Sequence, residues 1–207
     1  MVVITGAGDR AFSSGTDPDE LATMIASRAE MGLLSVAAPV ANLQIPVIAA
    51  INGDALGQGL ELALACDLRI AAETARFALP QINSGLIPWD GATQRLPRLI
   101  GRAKAVEMLL TGQPIDAREA YHLGLVSEVL PAKELLPKAM ATAQAMASRA
   151  PLALKYAKEA MLKGVDLTLE QGLRLESDLY FLLQTTEDRT EGIRAFLEKR
   201  PPRFKGK

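Results

Sequence analysis

Residues 46–66, PVIAAINGDALGQGLELALAC, restrict the fold of this chain more than any other stretch. Pro46-Val47-Ile48-Ala49-Ala50-Ile51 is apolar at successive positions, the pattern of a strand buried on both faces. Asn52-Gly53 ends it as a turn. Gly57-Gln58-Gly59 then opens a helix, Leu60 to Cys66, that is apolar on every side and must itself be covered. A buried strand leading into a buried helix is the repeating unit of an α/β core.

The rest of the first part follows the same pattern. Val2-Val3-Ile4-Thr5 reads as a strand stopped by Gly6-Ala7-Gly8, and residues 19–34 as a helix with acids near its start. Asp67 with Leu68-Arg69-Ile70 leads into a short strand, and Arg76-Phe77-Ala78 is another short piece. Strands separated by helices predict an α/β core with mainly parallel pairing. The first strand begins at residue 1 without a preceding turn or partner, as if the fold were entered part-way through. From Arg95 the period changes to 3.6, predicting helices over 102–111, 116–123, 132–148, 151–163 and 168–186, with a small edge piece at Leu125-Val126 and Val129-Leu130. The composition shift near residue 140 divides an α/β part, 1–140, from an all-helical part, 141–207.

Several function classes are excluded by composition. The 207 residues are 49% hydrophobic and 23% charged, the balance of a soluble globular protein with one substantial core. A net charge of −1 offers no field for nucleic acid or an anionic membrane. The single cysteine, Cys66, forms no internal disulfide, which suits a reducing cytoplasm. One Cys and one His make no metal centre, and no signal peptide or membrane-length apolar run is present.

Glu61 is the first candidate for chemistry. It stands among Leu60, Leu62, Ala63, Leu64, Ala65 and Cys66, where a carboxylate is costly unless paired or functional. The structural alternative places it at a wet edge near the helix N-terminus, where the dipole favours an acid. Gly57 and Gly59 free backbone N–H groups at the helix start to approach a ligand oxygen. A second loop, Phe12-Ser13-Ser14-Gly15-Thr16-Asp17, lets Gly15 turn the Thr16 N–H toward a ligand; alternatively Thr16 or Asp17 caps the next helix. Ser13 and Ser14 have one conceivable partner, His122, which sits at a helix end and suits packing or the surface better than catalysis. The basic tail EKRPPRFKGK reads as a solvated run that could meet a phosphate.

Taken together, Phe12–Asp17, Pro46–Gly53, Ala55–Ala63, Gly85-Leu86-Ile87-Pro88 and Thr93-Gln94-Arg95-Leu96, in that order and spacing, resemble the crotonase (enoyl-CoA hydratase/isomerase) superfamily. The resemblance extends to LLTGQPIDAREAYHLGLVSEV and to the FLEKR tail. It implies a spiral of ββα units, with an acyl-CoA site in 1–140, and a C-terminal helical region in 141–207 that builds trimers or dimers of trimers. It also implies that the N-terminal part of the usual fold is absent here. The expected substrate is an acyl-CoA thioester, with coenzyme A part of the substrate and neither metal nor further cofactor needed. The N–H groups of Thr16 and Gln58 would hold the thioester oxygen as an enolate forms, with Gly15, Asp17, Gly57 and Gly59 shaping the substrate loops.

In hydratases of this superfamily two glutamates flank a water. The first falls on Glu61 and the second on Gln81, an amide that orients a water but exchanges no proton at neutral pH. Asp90 then has two readings, a repositioned second carboxylate or a cap on the following helix. Trp89 likewise either reshapes the acyl pocket or fills a core gap. Phe196 and Lys199 match positions that reach a neighbouring subunit's CoA. The resemblance implies hydration of a 2-enoyl-CoA to a 3-hydroxyacyl-CoA. Its alternatives are double-bond isomerisation, cyclic dienoyl-CoA hydration, decarboxylation, thioester hydrolysis, or a catalytically weak CoA-binding scaffold.

Overall fold

Val47–Ile51 is the strand on which the fold is centred, and all its residues are fully buried. The computed structural model describes residues 1–17 and 32–207. Most of the helix expected over 19–34 lies outside the described residues. Among these, two four-stranded sheets are present. One has the order β1 (Val2–Thr5), β3 (Val47–Ile51), β5 (Leu68–Ala72), β8 (Glu128–Leu130); the other has β2 (Ala11–Ser13), β4 (Asp54–Leu56), β6 (Arg76–Ala78), β7 (Ile115–Asp116). Successive strands from β1 to β6 alternate between the sheets, so each pass of the chain adds one strand to each. Pairing is parallel for β3 with β5, β5 with β8, β2 with β4 and β4 with β6, while β6 and β7 run antiparallel. This is the mixed α/β, crotonase-like architecture that the resemblance implies.

Among the described residues the helices are α1 (Ala37–Ala41), α2 (Gln58–Ala65), α3 (Ala92–Ile100), α4 (Arg102–Thr111), α5 (Ala117–His122), α6 (Ala132–Ala147), α7 (Pro151–Gly164), α8 (Leu169–Gln184) and α9 (Glu187–Leu197), with a 3-10 turn over Pro80–Ser84. The helix read as Leu60 to Cys66 begins two residues earlier and ends at Ala65, because Cys66 is already extended. Leu125-Val126 is not a strand. Leu125 N–H donates to Ala120 O at 2.8 Å, so these buried residues close the end of α5 instead. The sequence reading also stopped short of α9, which Thr186 caps by accepting from the Arg189 N–H at 3.2 Å.

The chain divides into two compact units. One comprises Val3–Leu43 with Val47–Met140; the other comprises Met1–Val2, Gln44–Pro46 and Ala141–Lys207. In the second, α7 and α8 pack on each other, and α8 starts with a capping box between Thr168 and Gln171. The basic tail is not simply solvated. Asp188 accepts from the N–H groups of Lys205 (2.6 Å) and Gly206 (2.8 Å). Glu191 takes a two-point contact from Arg200 at 2.7 and 2.9 Å, so two acids on α9 strap the tail down.

Candidate active site

The two glycine loops meet. Gly15 has φ +87°, and a Cβ there would stand 2.8 Å from Leu56 O and 3.3 Å from the Gln58 nitrogen. Gly57 has φ +55°, and its N–H is held by Ala78 O at 2.9 Å, which fixes the start of α2 against β6. A Cβ on Gly59 would lie 2.3 Å from Ser13 O, so only glycine lets α2 approach the end of β2 this closely. Gln58 opens α2, where a backbone N–H has no acceptor within the helix. No acceptor among the described residues takes the N–H of Thr16 or of Gln58. The loops are also joined through side chains, Thr16 Oγ1 donating to Gln58 Oε1 at 3.0 Å.

Glu61 lies in the first turn of α2 and is fully buried. Its Oε1 accepts from the N–H of Asp90 at 2.7 Å and from that of Ala92 at 3.0 Å. Its Oε2 is buried and has no partner among the described residues, and the same holds for Gln81 Oε1. Burial pushes the Glu61 carboxyl above the usual carboxylate range. The Ala92 and Asp90 N–H groups oppose that rise, the nearby charge of Asp90 adds to it, and Arg95 opposes it. Gln81 stands at the start of the 3-10 turn, its amide against Gly57, a Cβ on which would be 3.5 Å from Gln81 Nε2. The site thus combines a raised acid held at one oxygen, a neutral amide, and two N–H donors that no described acceptor takes.

Asp90 does not cap the following helix, α3, whose first turn carries no side-chain cap. Its carboxylate instead turns to the start of α1, accepting from the N–H groups of Val36 and Ala37, both at 2.9 Å. Ser35 Oγ donates to its other oxygen. Trp89 is half-buried beside it. Asp17 lies exposed after Thr16, while Phe196 and Lys199 are exposed at the end of α9 in the helical unit. His122 is exposed too, its Nδ1 2.7 Å from Arg118 O. Two contributors escaped the sequence reading. Arg95 Nη1 donates to Asp90 O at 2.9 Å beside Gly91, and Ser35 accepts from the Ala38 N–H at 2.9 Å. Ser35 just before an alanine-rich turn was a readable capping signal; Arg95 stood within the Thr93–Leu96 motif without a role.

The profile of the enoyl-CoA hydratase/isomerase family matches residues 1–207. The chain belongs to that family. Its relatives include the 2,3-dehydroadipyl-CoA hydratase of Escherichia coli (strain K12), 45% identical, with 100% of this chain and 81% of that protein aligned. The crotonyl-CoA hydratase of Syntrophomonas wolfei is 41% identical over 99% of this chain and 80% of its own. Among solved structures, an enoyl-CoA hydratase from Bacillus anthracis superposes with a TM-score of 0.93 at 45% identity, covering 100% of this chain and 81% of that one. As a family member the chain is an enzyme of the enoyl-CoA hydratase/isomerase type.

Proposed function

We propose that this protein adds water across the C2–C3 double bond of a 2-enoyl-CoA, giving a 3-hydroxyacyl-CoA. The observation that carries the reading is the pair of buried oxygens without a partner among the described residues, Glu61 Oε2 on α2 and Gln81 Oε1, whose amide lies against Gly57 at the start of that helix. Glu61 is anchored through Oε1, so Oε2 is the atom left to move a proton. The thioester oxygen sits on the N–H groups of Thr16 and Gln58, which stabilise the negative charge that develops there. Gln81 Oε1 accepts a hydrogen bond from a water and orients it. Glu61 Oε2 takes a proton as the water oxygen bonds to C3, and the C2–C3 π electrons move into the enolate. Glu61 then returns that proton to C2 as the enolate collapses, so one water supplies both the hydroxyl and the hydrogen. A single acid suffices for this cycle.

Coenzyme A enters as part of the substrate, and no metal or further cofactor takes a step in this scheme. We propose further that the helical unit assembles copies of the chain into a trimer or a dimer of trimers. Support comes from its exposed apolar side chains, among them Leu169, Tyr180, Phe181 and Phe196, because large apolar patches on a soluble protein mark contact surfaces. Phe196 and Lys199 would then serve the CoA of a neighbouring copy. A cytoplasmic setting suits an acyl-CoA enzyme, and no helix among the described residues is long and apolar enough to cross a membrane.

The test is turnover on a panel of linear, cyclic and carboxylated acyl-CoAs, with Gln81→Glu beside the parent protein. Hydration of a linear 2-enoyl-CoA is expected, and Gln81→Glu should add an ionisation to the pH profile of kcat. Turnover of other acyl-CoAs without hydration would sink the reading.

A further inference from the structure

The scheme above leaves the Asp90 carboxylate without a step, although it is only 7% exposed. Its surroundings account for it. Oδ1 accepts from Ser35 Oγ, and Oδ2 accepts from the N–H groups of Val36 and Ala37, with Gln58 Nε2 at 3.4 Å. Those two N–H groups open α1, and α1 packs on α2, the helix that carries Glu61. A carboxylate offers about four lone-pair sites. Four donors among the described residues surround this one, three of them on Oδ2, so most of its acceptor capacity is spent within the protein.

The Gln58 side chain continues the path. Its Nε2 donates to Leu34 O at 3.0 Å, and its Oε1 accepts from Thr16 Oγ1 at 3.0 Å. One hydrogen-bonded route therefore runs from Thr16 through the Gln58 amide and the 34–37 turn to Asp90. The Asp90 N–H in turn holds Glu61 Oε1 at 2.7 Å. At one end stand the two oxyanion donors, at the other the acid.

We propose that the side chains of Asp90 and Gln58 form a clasp that fixes the spacing between the Thr16 and Gln58 N–H donors and Glu61. Asp90 is then a positioning residue and not a second acid. The inference rests on the acyl-CoA reading and assigns these two side chains a part in it. Position matters here because a displacement of about 1 Å can cost on the order of 100-fold in rate.

The experiment uses Asp90→Ala, Asp90→Asn, Gln58→Gly and the Gln58→Gly/Asp90→Ala double variant, each checked for folding by thermal melting. Two quantities are read on each. The first is kcat and KM for a linear 2-enoyl-CoA across pH. The second is calorimetric affinity for a 3-ketoacyl-CoA, whose enolate mimics the intermediate, against a saturated acyl-CoA of equal length. Asp90→Ala and Gln58→Gly should lower kcat by about 10- to 100-fold with KM little changed. The preference for the ketoacyl thioester should shrink in both, and the double variant should be no worse than the worse single one. Asp90→Asn should leave the limbs of the pH profile in place. Loss of a limb in Asp90→Asn would make Asp90 an acid and overturn the clasp. Unchanged kcat and preference in every variant would overturn it too. Gln58→Gly leaves the bonds from Val36 and Ala37 to Asp90 in place, so it decides alone should Asp90→Ala not fold. A parent protein that binds neither thioester would fail the acyl-CoA reading and the clasp with it. A parent that binds and turns over, with variants that match it, fails the clasp alone.

Discussion

Two glycines set the two units of this protein apart. On α2, a Cβ at Gly59 would meet the Ser13 carbonyl at 2.3 Å; on α8, a Cβ at Gly172 would find Gly164 O at 3.6 Å, an ordinary contact. The α/β unit is built on close approaches of backbone to backbone, and those approaches seat the Gly15 loop against the start of α2. The helical unit is looser about its glycine and more open in its side chains. Within α8 only Leu179 is buried, while Tyr180 is 60% and Phe181 68% exposed. One unit packs backbone on backbone to hold a geometry; the other leaves the aromatic side chains of α8 and α9 outside. On the function proposed above, the difference separates chemistry from assembly within one chain.

The contrast can be broken at several points. The largest effect belongs to Glu61→Gln, which removes the proposed proton carrier and should lower kcat for hydration by roughly 1,000-fold, within the range of acid–base catalysis. Steady-state kinetics on a 2-enoyl-CoA would reveal it, and activity near that of the parent would move the acid elsewhere. Gly59→Ala should destabilise the protein by about 1–3 kcal/mol through overpacking against Ser13. Phe181→Arg should leave the melting curve of the α/β unit in place yet shift the sedimentation profile toward single chains. A variant that sediments like the parent would take Phe181 out of any assembly surface. Gly172→Ala, by contrast with Gly59→Ala, should stabilise by about 0.5–1 kcal/mol, since alanine is the better helix former. Equal losses at both glycines would erase the distinction between the units.

The smallest effect concerns the tail strap. Arg200, with the Arg203 N–H, holds the Glu191 carboxyl down to about 2, against an ordinary value of 4.5. An acid with a depressed folded value stabilises above its ordinary range and loses that contribution as pH falls toward the folded one. Protection of the Arg203 amide and its neighbours against exchange, relative to the intrinsic rate, should therefore fall between pH 4.5 and about 2. Glu191→Gln should remove that dependence.

Long elements were legible because their period is redundant. The helix predicted over 102–111 is α4 at both ends, 151–163 starts with α7 and stops one residue short of its end, and 168–186 overruns α8 by one residue at its start and two at its end. The short strands β2, β4 and β7 were not legible, because two or three residues carry no periodicity. α9 was missed because Glu187–Leu197 carries charges and a glycine where an apolar face would announce a helix. At the site, Glu61 could be read from its apolar surroundings alone, since an acid on such a helix needs a reason. Asp90 could not be assigned from sequence, because its partners Val36 and Ala37 are more than fifty residues away and act through backbone N–H groups that no residue name reveals.

Burial of Glu61 also has a bearing on how long the molecule survives heating. Its carboxyl is raised in the folded state, so the folded chain holds that proton where the unfolded chain releases it. Stability linked to this group is full below the ordinary carboxylate value and is lost as pH rises through the raised one. At neutral pH the acid is thus a standing weakness, and Glu61→Gln should melt at a higher temperature than the parent, by a margin that grows as pH rises over that window. Melting curves taken across pH would measure the margin. A laboratory selection that rewards heat resistance alone would drift toward inactive protein.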